Sequence, residues 1–108
     1  MDVSGTAGRI LEEDDELPVV AMVTLDSYFS NRDKPTYIKA DIEGEEFNML
    51  LGSRQIISGH KPLLGICIYH RSEDLYEIPL LIHNMNCQYK MEVRHHTSNF
   101  CETVLYCY

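Results

Sequence analysis

The sequence predicts an α/β fold, with one sheet, two flanking helices and a C-terminal antiparallel strand pair. The first observation is the uninterrupted apolar run over 63–69, which is typical of a strand that is buried on both faces and parallel to its neighbours. The second is the helical spacing of apolar residues on either side of that run. The third is the order of elements, because two strand–helix–strand units in succession favour right-handed crossovers within one sheet.

Two elements are predicted near the start of the chain. Residues 1–17 are expected to be irregular and acidic, and we interpret the five consecutive carboxylates at 12–16 as a solvated loop. Residues 18–25 are apolar and β-branched and predict a strand. Residues 26–29 begin with an aspartate and predict a short capped helical turn. A chain of 108 residues has room for one domain, which we place over 1–108.

The middle of the chain predicts a strand, a helix and a further strand. Residues 36–42 have the composition of a strand. Apolar residues at helical spacing then predict a helix over 45–58, and Gly59 is its expected C-terminal stop. The apolar strand over 63–69 follows directly.

The last third predicts a helix and two strands. Ser72 is expected to cap the helix, and Pro79 is expected to kink it or to begin a second helical piece. Residues 89–95 alternate strictly and predict a strand with one wet face near a sheet edge. Residues 103–108 predict a last strand that pairs with it in antiparallel fashion. The apolar side of the helix is expected to carry Leu75, Ile78, Leu81, Ile82 and Met85.

Composition argues against several classes of partner. Hydrophobic residues make up 44% and charged residues 24% of the chain, which is ordinary for a globular domain. The net charge of −8 disfavours nucleic acids and anionic membranes, since both bind clustered lysine and arginine. The sequence lacks an 18-residue apolar run and a signal peptide, and its four cysteines lack zinc-like spacing. We therefore expect no nucleic-acid or membrane partner, reduced cysteines and a cytoplasmic location.

Polar residues follow both central strands. Asp41, Glu43 and Gly44 follow the first, and Tyr69 and His70 end the second. Ligands of open α/β sheets bind beyond the carboxyl ends of the parallel strands, so these residues are the candidates for a site. The two carboxylates could instead cap the following helix, and His70 could be a neutral histidine that is hydrogen-bonded at a strand end. The pattern alone therefore predicts part of an α/β ligand-binding domain.

Residues 36–52 read TYIKADIEGEEFNMLLG, in which a strand ends in Ile-Lys-x-Asp-Ile-Glu-Gly and a helix with Leu-x-Gly follows. This segment resembles the motif of the FkbM family of methyltransferases. The Thr-Leu-Asp at 24–26 resembles the end of the family's preceding strand. Later segments resemble its next strand, its following helix and its closing hairpin, in that order: 61–70, 73–79, 94–96 and 102–106.

The resemblance implies a class I, Rossmann-like methyltransferase fold with S-adenosylmethionine as the methyl donor. It implies O-methylation of a small-molecule or carbohydrate acceptor. Asp41 and His70 are the implied catalytic residues, and the resemblance gives no reason to expect a metal. The implied cofactor-binding residues are Asp41, Glu43, Gly44 and Asp26.

The resemblance covers the C-terminal half of such an enzyme. The family's Gly-rich donor turn and the acidic strand end that holds the donor ribose have no counterpart here, so we expect a partial, truncated domain. An N-terminal half on another chain, or self-association, is then expected to complete the sheet. The alternative is a non-catalytic remnant, or an α/β module that binds a ligand or a partner through the same edge.

Overall fold

The computed structural model describes residues 18–97 and 102–108, and within them the chain forms one sheet with helices packed against it. The predicted acidic segment over 1–17 lies outside the described residues. No helix within the described ranges is long and apolar enough to cross a membrane. The elements in chain order are α1 (Leu25–Tyr28), β1 (Tyr37–Ala40), α2 (Glu46–Leu51), α3 (Arg54–His60), β2 (Leu63–Cys67), α4 (Asp74–Met85), β3 (Met91–His95) and β4 (Thr103–Cys107).

The sheet has the strand order β1-β2-β4-β3. β1 and β2 are parallel, with Ile38 opposite Leu64. β4 runs antiparallel to β2 on one side and to β3 on the other. The α/β fold with a partial Rossmann-like sheet and a C-terminal antiparallel pair is therefore confirmed, and β3 is the edge strand that its alternation predicts.

The core lies between the helices and one face of the sheet. β2 is buried on both faces as predicted, but only one of its two neighbours is parallel, because β4 inserts beside it. α4 presents Ile78 and Ile82 to this core, whereas Leu75, expected on the same side, is 57% exposed. The buried cluster consists of Ile38, Ala40, Leu50, Ile56, Ile57, Leu64, Ile66, Ile68, Ile78, Ile82, Met85, Tyr89, Leu105 and Cys107.

Residues 18–24 form no strand, which corrects the prediction of a strand over 18–25. Val19 and Val20 are 89% and 76% exposed, so their side chains have no sheet surface to pack on. Strand propensity depends on such packing, and it is not realised here. The helical turn that follows is confirmed as α1. Its cap is Thr24, whose Oγ1 accepts a hydrogen bond from the Ser27 amide at 3.1 Å.

The helix predicted over 45–58 is in fact two helices, α2 and α3, which are separated at Gly52 and Ser53. Gly52 lies against α1, since a Cβ at this position would be 2.9 Å from the Cβ of Thr24. The Gly52 carbonyl also accepts a hydrogen bond from the Asp26 amide at 2.9 Å. The chain therefore stops its first helix against α1 and begins a new one.

Two helix boundaries also differ from the prediction. Gly59 lies inside α3, and the helix ends at His60, where Lys61 is the C-cap and adopts a left-handed conformation with φ 47°. α4 begins after Glu73 rather than Ser72, and Glu73 makes no side-chain capping bond. The helix continues through Pro79 as a single element.

Candidate functional site

The candidate site lies where the parallel strands β1 and β2 end. Asp41 follows β1 directly, and His70 lies three residues beyond the last residue of β2. Between β1 and α2 the chain makes a tight turn over 41–45. Because parallel strands end at the same edge of a sheet, this turn and the segment after β2 are brought face to face.

Glu46 organises the turn. Its carboxylate accepts hydrogen bonds from the amides of Ile42 at 2.7 Å and Gly44 at 3.1 Å. Glu43 and Gly44 both have positive φ, at 58° and 101°. The Glu46 side chain is fully buried, so these two amides are satisfied away from water. Glu46 was not among the site residues predicted from the sequence. The feature that could have indicated it is an acidic residue in the first turn of a helix, just after a glycine.

His70 meets carboxylates through both ring nitrogens. Its Nδ1 lies 3.0 Å from Glu46 Oε2, and its Nε2 lies 3.4 Å from Asp41 Oδ1 and 3.7 Å from Glu43 Oε2. The His70 side chain is 10% exposed, whereas those of Asp41 and Glu43 are 51% and 89% exposed. We call Asp41, Glu43, Glu46 and His70 the carboxylate–histidine cluster. A largely buried imidazole thus lies beneath two carboxylates that are accessible to solvent.

Tyr69 borders the cluster and contacts two of its members. Its hydroxyl donates a hydrogen bond to Asp41 Oδ1 at 3.2 Å, and its ring lies 4.0 Å from the His70 ring between centroids. Desolvation and the charge of Asp41 raise the pKa of Tyr69 to about 12. The hydroxyl therefore stays protonated at neutral pH and acts as a donor to Asp41.

Cys67 lies close by and is unsuited to act as a nucleophile. Burial, and then the negative charge of Asp41, raise the pKa of the Cys67 thiol to about 11. Because the thiolate is the reactive form, a thiol with this pKa is unreactive at neutral pH. The chemistry of the site therefore belongs to the carboxylates and the imidazole.

Gly44 is required by its backbone conformation rather than by lack of space. A Cβ at Gly44 would lie 3.8 Å from Arg71 Cγ and 3.9 Å from His70 Cβ, which is ordinary contact. Its φ of 101° is a conformation that side-chain-bearing residues rarely adopt. The glycine lets the turn place Glu43 outside and the Gly44 amide inward toward Glu46.

Arg71 is engaged by α4 rather than by the cluster. Its guanidinium lies 3.1 Å from Glu77, 3.4 Å from Asp74 and 3.6 Å from Glu73. Asp74 is fully buried, and that burial raises its pKa. The positive charge nearest to the turn is therefore shared among three other carboxylates, and the cluster keeps an excess of negative charge.

Asp26, the fourth residue implied for cofactor binding, lies elsewhere. Its carboxylate accepts hydrogen bonds from the amides of Gln55 at 2.9 Å and Ile56 at 3.0 Å, at the amino end of α3. Within the described residues no hydrogen bond or ion pair joins it to the cluster. The structure thus brings Asp41, Glu43, Gly44 and His70 together and assigns Asp26 to a helix cap.

The alternative interpretations of the site residues have different outcomes. The N-cap of α2 is Glu45, which makes no side-chain capping bond, so Asp41 and Glu43 do not cap this helix. Among the described residues the neighbours of the His70 ring nitrogens are the cluster carboxylates, so a histidine hydrogen-bonded at the strand end remains an alternative. Asp41, Glu43 and His70 offer the oxygen and nitrogen atoms that a cationic ligand or a metal ion binds.

A recess runs along the face of the sheet opposite the helices and reaches the cluster at Asp41 and Tyr69. Its volume is about 310 Å³. Side chains of β1, β2 and β4 that alternate with the core residues form its floor. The lining residues are Tyr37, Lys39, Asp41, Gly65, Cys67, Tyr69, His96, Glu102, Val104 and Tyr106.

A partial Rossmann-like sheet with a polar cluster at its carboxyl edge defines an α/β domain of the kind that binds ligands at that edge. The family model of the methyltransferase FkbM domain matches residues 2–98. A crystal structure of methyltransferase FkbM from Methylobacillus flagellatus is similar, with 47% sequence identity and a TM-score of 0.68. The similarity covers 70% of this chain and 20% of that chain. No curated protein sequence matches significantly. The chain belongs to the FkbM family of methyltransferases.

Proposed function

We propose that this chain contributes the part of an O-methyltransferase site that faces both the acceptor and the sulfonium of S-adenosylmethionine. The acceptor would be a hydroxyl group of a small molecule or a carbohydrate. The observation that supports this proposal is the carboxylate–histidine cluster at the ends of β1 and β2, together with the family of the chain. The similarity covers only 20% of the methyltransferase of known structure. That a complete enzyme containing this chain transfers methyl groups is therefore itself proposed.

The chemistry of the cluster suits the donor. S-adenosylmethionine supplies a methyl group on a positively charged sulfonium. Asp41 and Glu43 are accessible carboxylates on the turn after β1, and they would stabilise that positive charge. Gly44 has no side chain, so a ligand can approach the backbone of the turn closely at this residue.

Asp41 and His70 would handle the acceptor. A hydroxyl that is to be methylated must lie in line with the methyl carbon and lose its proton as the new bond forms. Asp41 Oδ1 and His70 Nε2 lie 3.4 Å apart, so one hydroxyl can hydrogen-bond to both. General-base assistance of this kind contributes roughly 10²- to 10⁴-fold to a rate. Glu46 would hold the ring of His70 in place from its other side.

Calorimetric titration of the chain with S-adenosylmethionine and its demethylated product tests this proposal. We expect saturable binding near micromolar Kd, which corresponds to about −8 kcal/mol. Asp41→Asn is expected to weaken binding, whereas Asp33→Asn, an exposed carboxylate outside the cluster, should leave it unchanged. A folded chain that binds neither compound would contradict the proposal.

The open recess favours a second candidate, a non-catalytic module that binds a partner through the sheet. β1 is a sheet edge, and Tyr37 on it is 50% exposed. An N-terminal methyltransferase half on another chain, or a second copy, would cover this edge. Analytical ultracentrifugation distinguishes the cases, because a strictly monomeric chain would argue against self-association.

A further inference from the structure

Three side chains of the cluster offer ligand atoms in an arrangement close to that of a metal site. One ligand atom each from Asp41, Glu43 and His70 lies within 4.8 Å of the other two. Nitrogen and oxygen ligands stand about 2.0–2.2 Å from a tetrahedral ion such as Zn²⁺, which places them roughly 3.3–3.6 Å from one another. The 3.4 Å between His70 Nε2 and Asp41 Oδ1 already fits. The side chain of Glu43 is 89% exposed and can rotate to shorten its distance to His70 Nε2, which is 3.7 Å.

The position of His70 indicates that a cation belongs here. The ring is nine-tenths buried, and both nitrogens face carboxylate oxygens. Nδ1 faces the buried Glu46, so Nε2 is the ring nitrogen that points toward the two exposed carboxylates. With a proton on Nδ1, Nε2 presents a lone pair between Asp41 and Glu43, which is the arrangement that a bound cation requires.

Glu46 supplies the outer support that metal-binding histidines require. Its buried carboxylate is fixed by two backbone amides and lies 3.0 Å from Nδ1. A carboxylate on this side favours the proton on Nδ1 and leaves the lone pair of Nε2 free for a metal ion. Such carboxylate–histidine pairs fix the tautomer and the orientation of metal-bound histidines.

We propose that Asp41, Glu43 and His70 bind a divalent transition-metal ion. One imidazole with two carboxylates suits Mn²⁺, Fe²⁺, Co²⁺ or Zn²⁺ better than Ca²⁺, which prefers oxygen ligands alone. The protein supplies three ligands on one side, so the remaining positions face solvent, where a hydroxyl could bind. Asp41 and Glu43 lie on one segment and His70 on another, so the ligands form no short motif that could be recognised in the sequence. The ion would bind whether or not the chain takes part in methyl transfer, but it would occupy His70 Nε2, so an ion-bound His70 does not act as the general base proposed above.

Titration with Co²⁺ tests the proposal, since its visible absorption reports nitrogen and oxygen coordination. The measurement is made in excess Ca²⁺, which suppresses non-specific binding to exposed carboxylates. We expect one Co²⁺ per chain in the micromolar range, with a matching amount of Zn²⁺ retained by equilibrium dialysis. Because no S-adenosylmethionine is present, the result is independent of donor binding.

Matched variants assign the ligands. Glu43→Gln changes a solvent-exposed side chain and keeps the fold, and we expect it to weaken Co²⁺ binding at least tenfold. His70→Gln should do the same and abolish the histidine contribution to the spectrum. Asp33→Asn and His83→Gln, which alter exposed residues outside the cluster, should bind as the parent chain does. Unchanged affinity in Glu43→Gln, or no spectral change in the parent chain, would overturn the proposal.

Discussion

The carboxylate of Asp26 bridges the amides of the second and third residues of α3, accepting hydrogen bonds from Gln55 at 2.9 Å and from Ile56 at 3.0 Å. These residues are about thirty positions apart in sequence. The contact ties the segment before β1 to a helix that packs on the sheet. A residue that the family resemblance associates with the cofactor therefore has a structural role of its own.

Replacement of Asp26 tests that role. Asp26→Ala removes the cap of α3 and is expected to lower the free energy of unfolding by about 1 kcal/mol, as is usual for capping residues. Asp26→Asn keeps one acceptor oxygen and should lose less. Urea unfolding measures both. If Asp26→Ala were as stable as the parent chain but failed to bind S-adenosylmethionine, Asp26 would be a binding residue and not a cap.

Removal of the Glu46 side chain is expected to be costly. Glu46→Ala would leave the partly buried amides of Ile42 and Gly44 without their acceptors, which we expect to lower the free energy of unfolding by about 1–3 kcal/mol. Glu43→Gln, on the same turn but exposed, is the control and should change stability by less than about 0.5 kcal/mol. Equal stability of the two variants in urea would show that Glu46 does not organise the turn.

Two glycines should respond to alanine in opposite directions. Gly44→Ala forces a side chain into φ 101° and is expected to destabilise by about 1–3 kcal/mol. Gly59→Ala lies inside α3 with nothing within 4 Å of the new Cβ, so it should stabilise by about 0.5–1 kcal/mol. Thermal or urea unfolding of the pair is the measurement. A loss of stability in Gly59→Ala would mean that this helix does not extend to His60.

Stability is expected to fall at alkaline pH because of buried thiols. Burial raises the pKa of Cys107 from an ordinary 9.0 to about 12, and burial with Asp41 raises that of Cys67 to about 11. The unfolded chain then loses these protons first, so stability that is complete below pH 9 declines as the pH rises through the folded values. Each group contributes roughly 1 kcal/mol per pH unit between its two pKa values.

Urea midpoints at neutral pH and at several values above pH 9 measure this decline. In Cys107→Ala the free energy of unfolding should decline less steeply with pH, whatever its value at neutral pH. Cys87→Ser changes an exposed thiol, so its free energy of unfolding should decline with pH as steeply as that of the parent chain. An identical slope in Cys107→Ala would show that this thiol does not govern the alkaline loss.

The elements that the sequence predicts well are those whose burial pattern is local. The apolar run over 63–69 and the alternation over 89–95 each predict a strand without reference to the rest of the chain, and β2 and β3 form there. The single wet face expected of the second strand is not found, because Val93 on its expected dry face is 57% exposed. The edge rule for parallel strands also places Asp41 and His70 together. In each case a short stretch of sequence contains the physical cause.

The missed features depend on contacts between distant segments. The break between α2 and α3 results from the approach of Thr24 to Gly52, which no periodicity within 45–58 contains. Glu46 resembles any acidic residue in a first helical turn until its two amide partners are known. The β-branched side chains at 18–24 form no strand because a strand needs a neighbour as well as a propensity.

The position of β4 between β2 and β3 has a consequence for the order of folding. β3 and β4 are close in sequence, and their pairing costs little loop-closure entropy, whereas β4 meets β2 across a much longer loop, with Cys107 opposite Leu64. We therefore expect the hairpin of β3 and β4 to form before it pairs with β2.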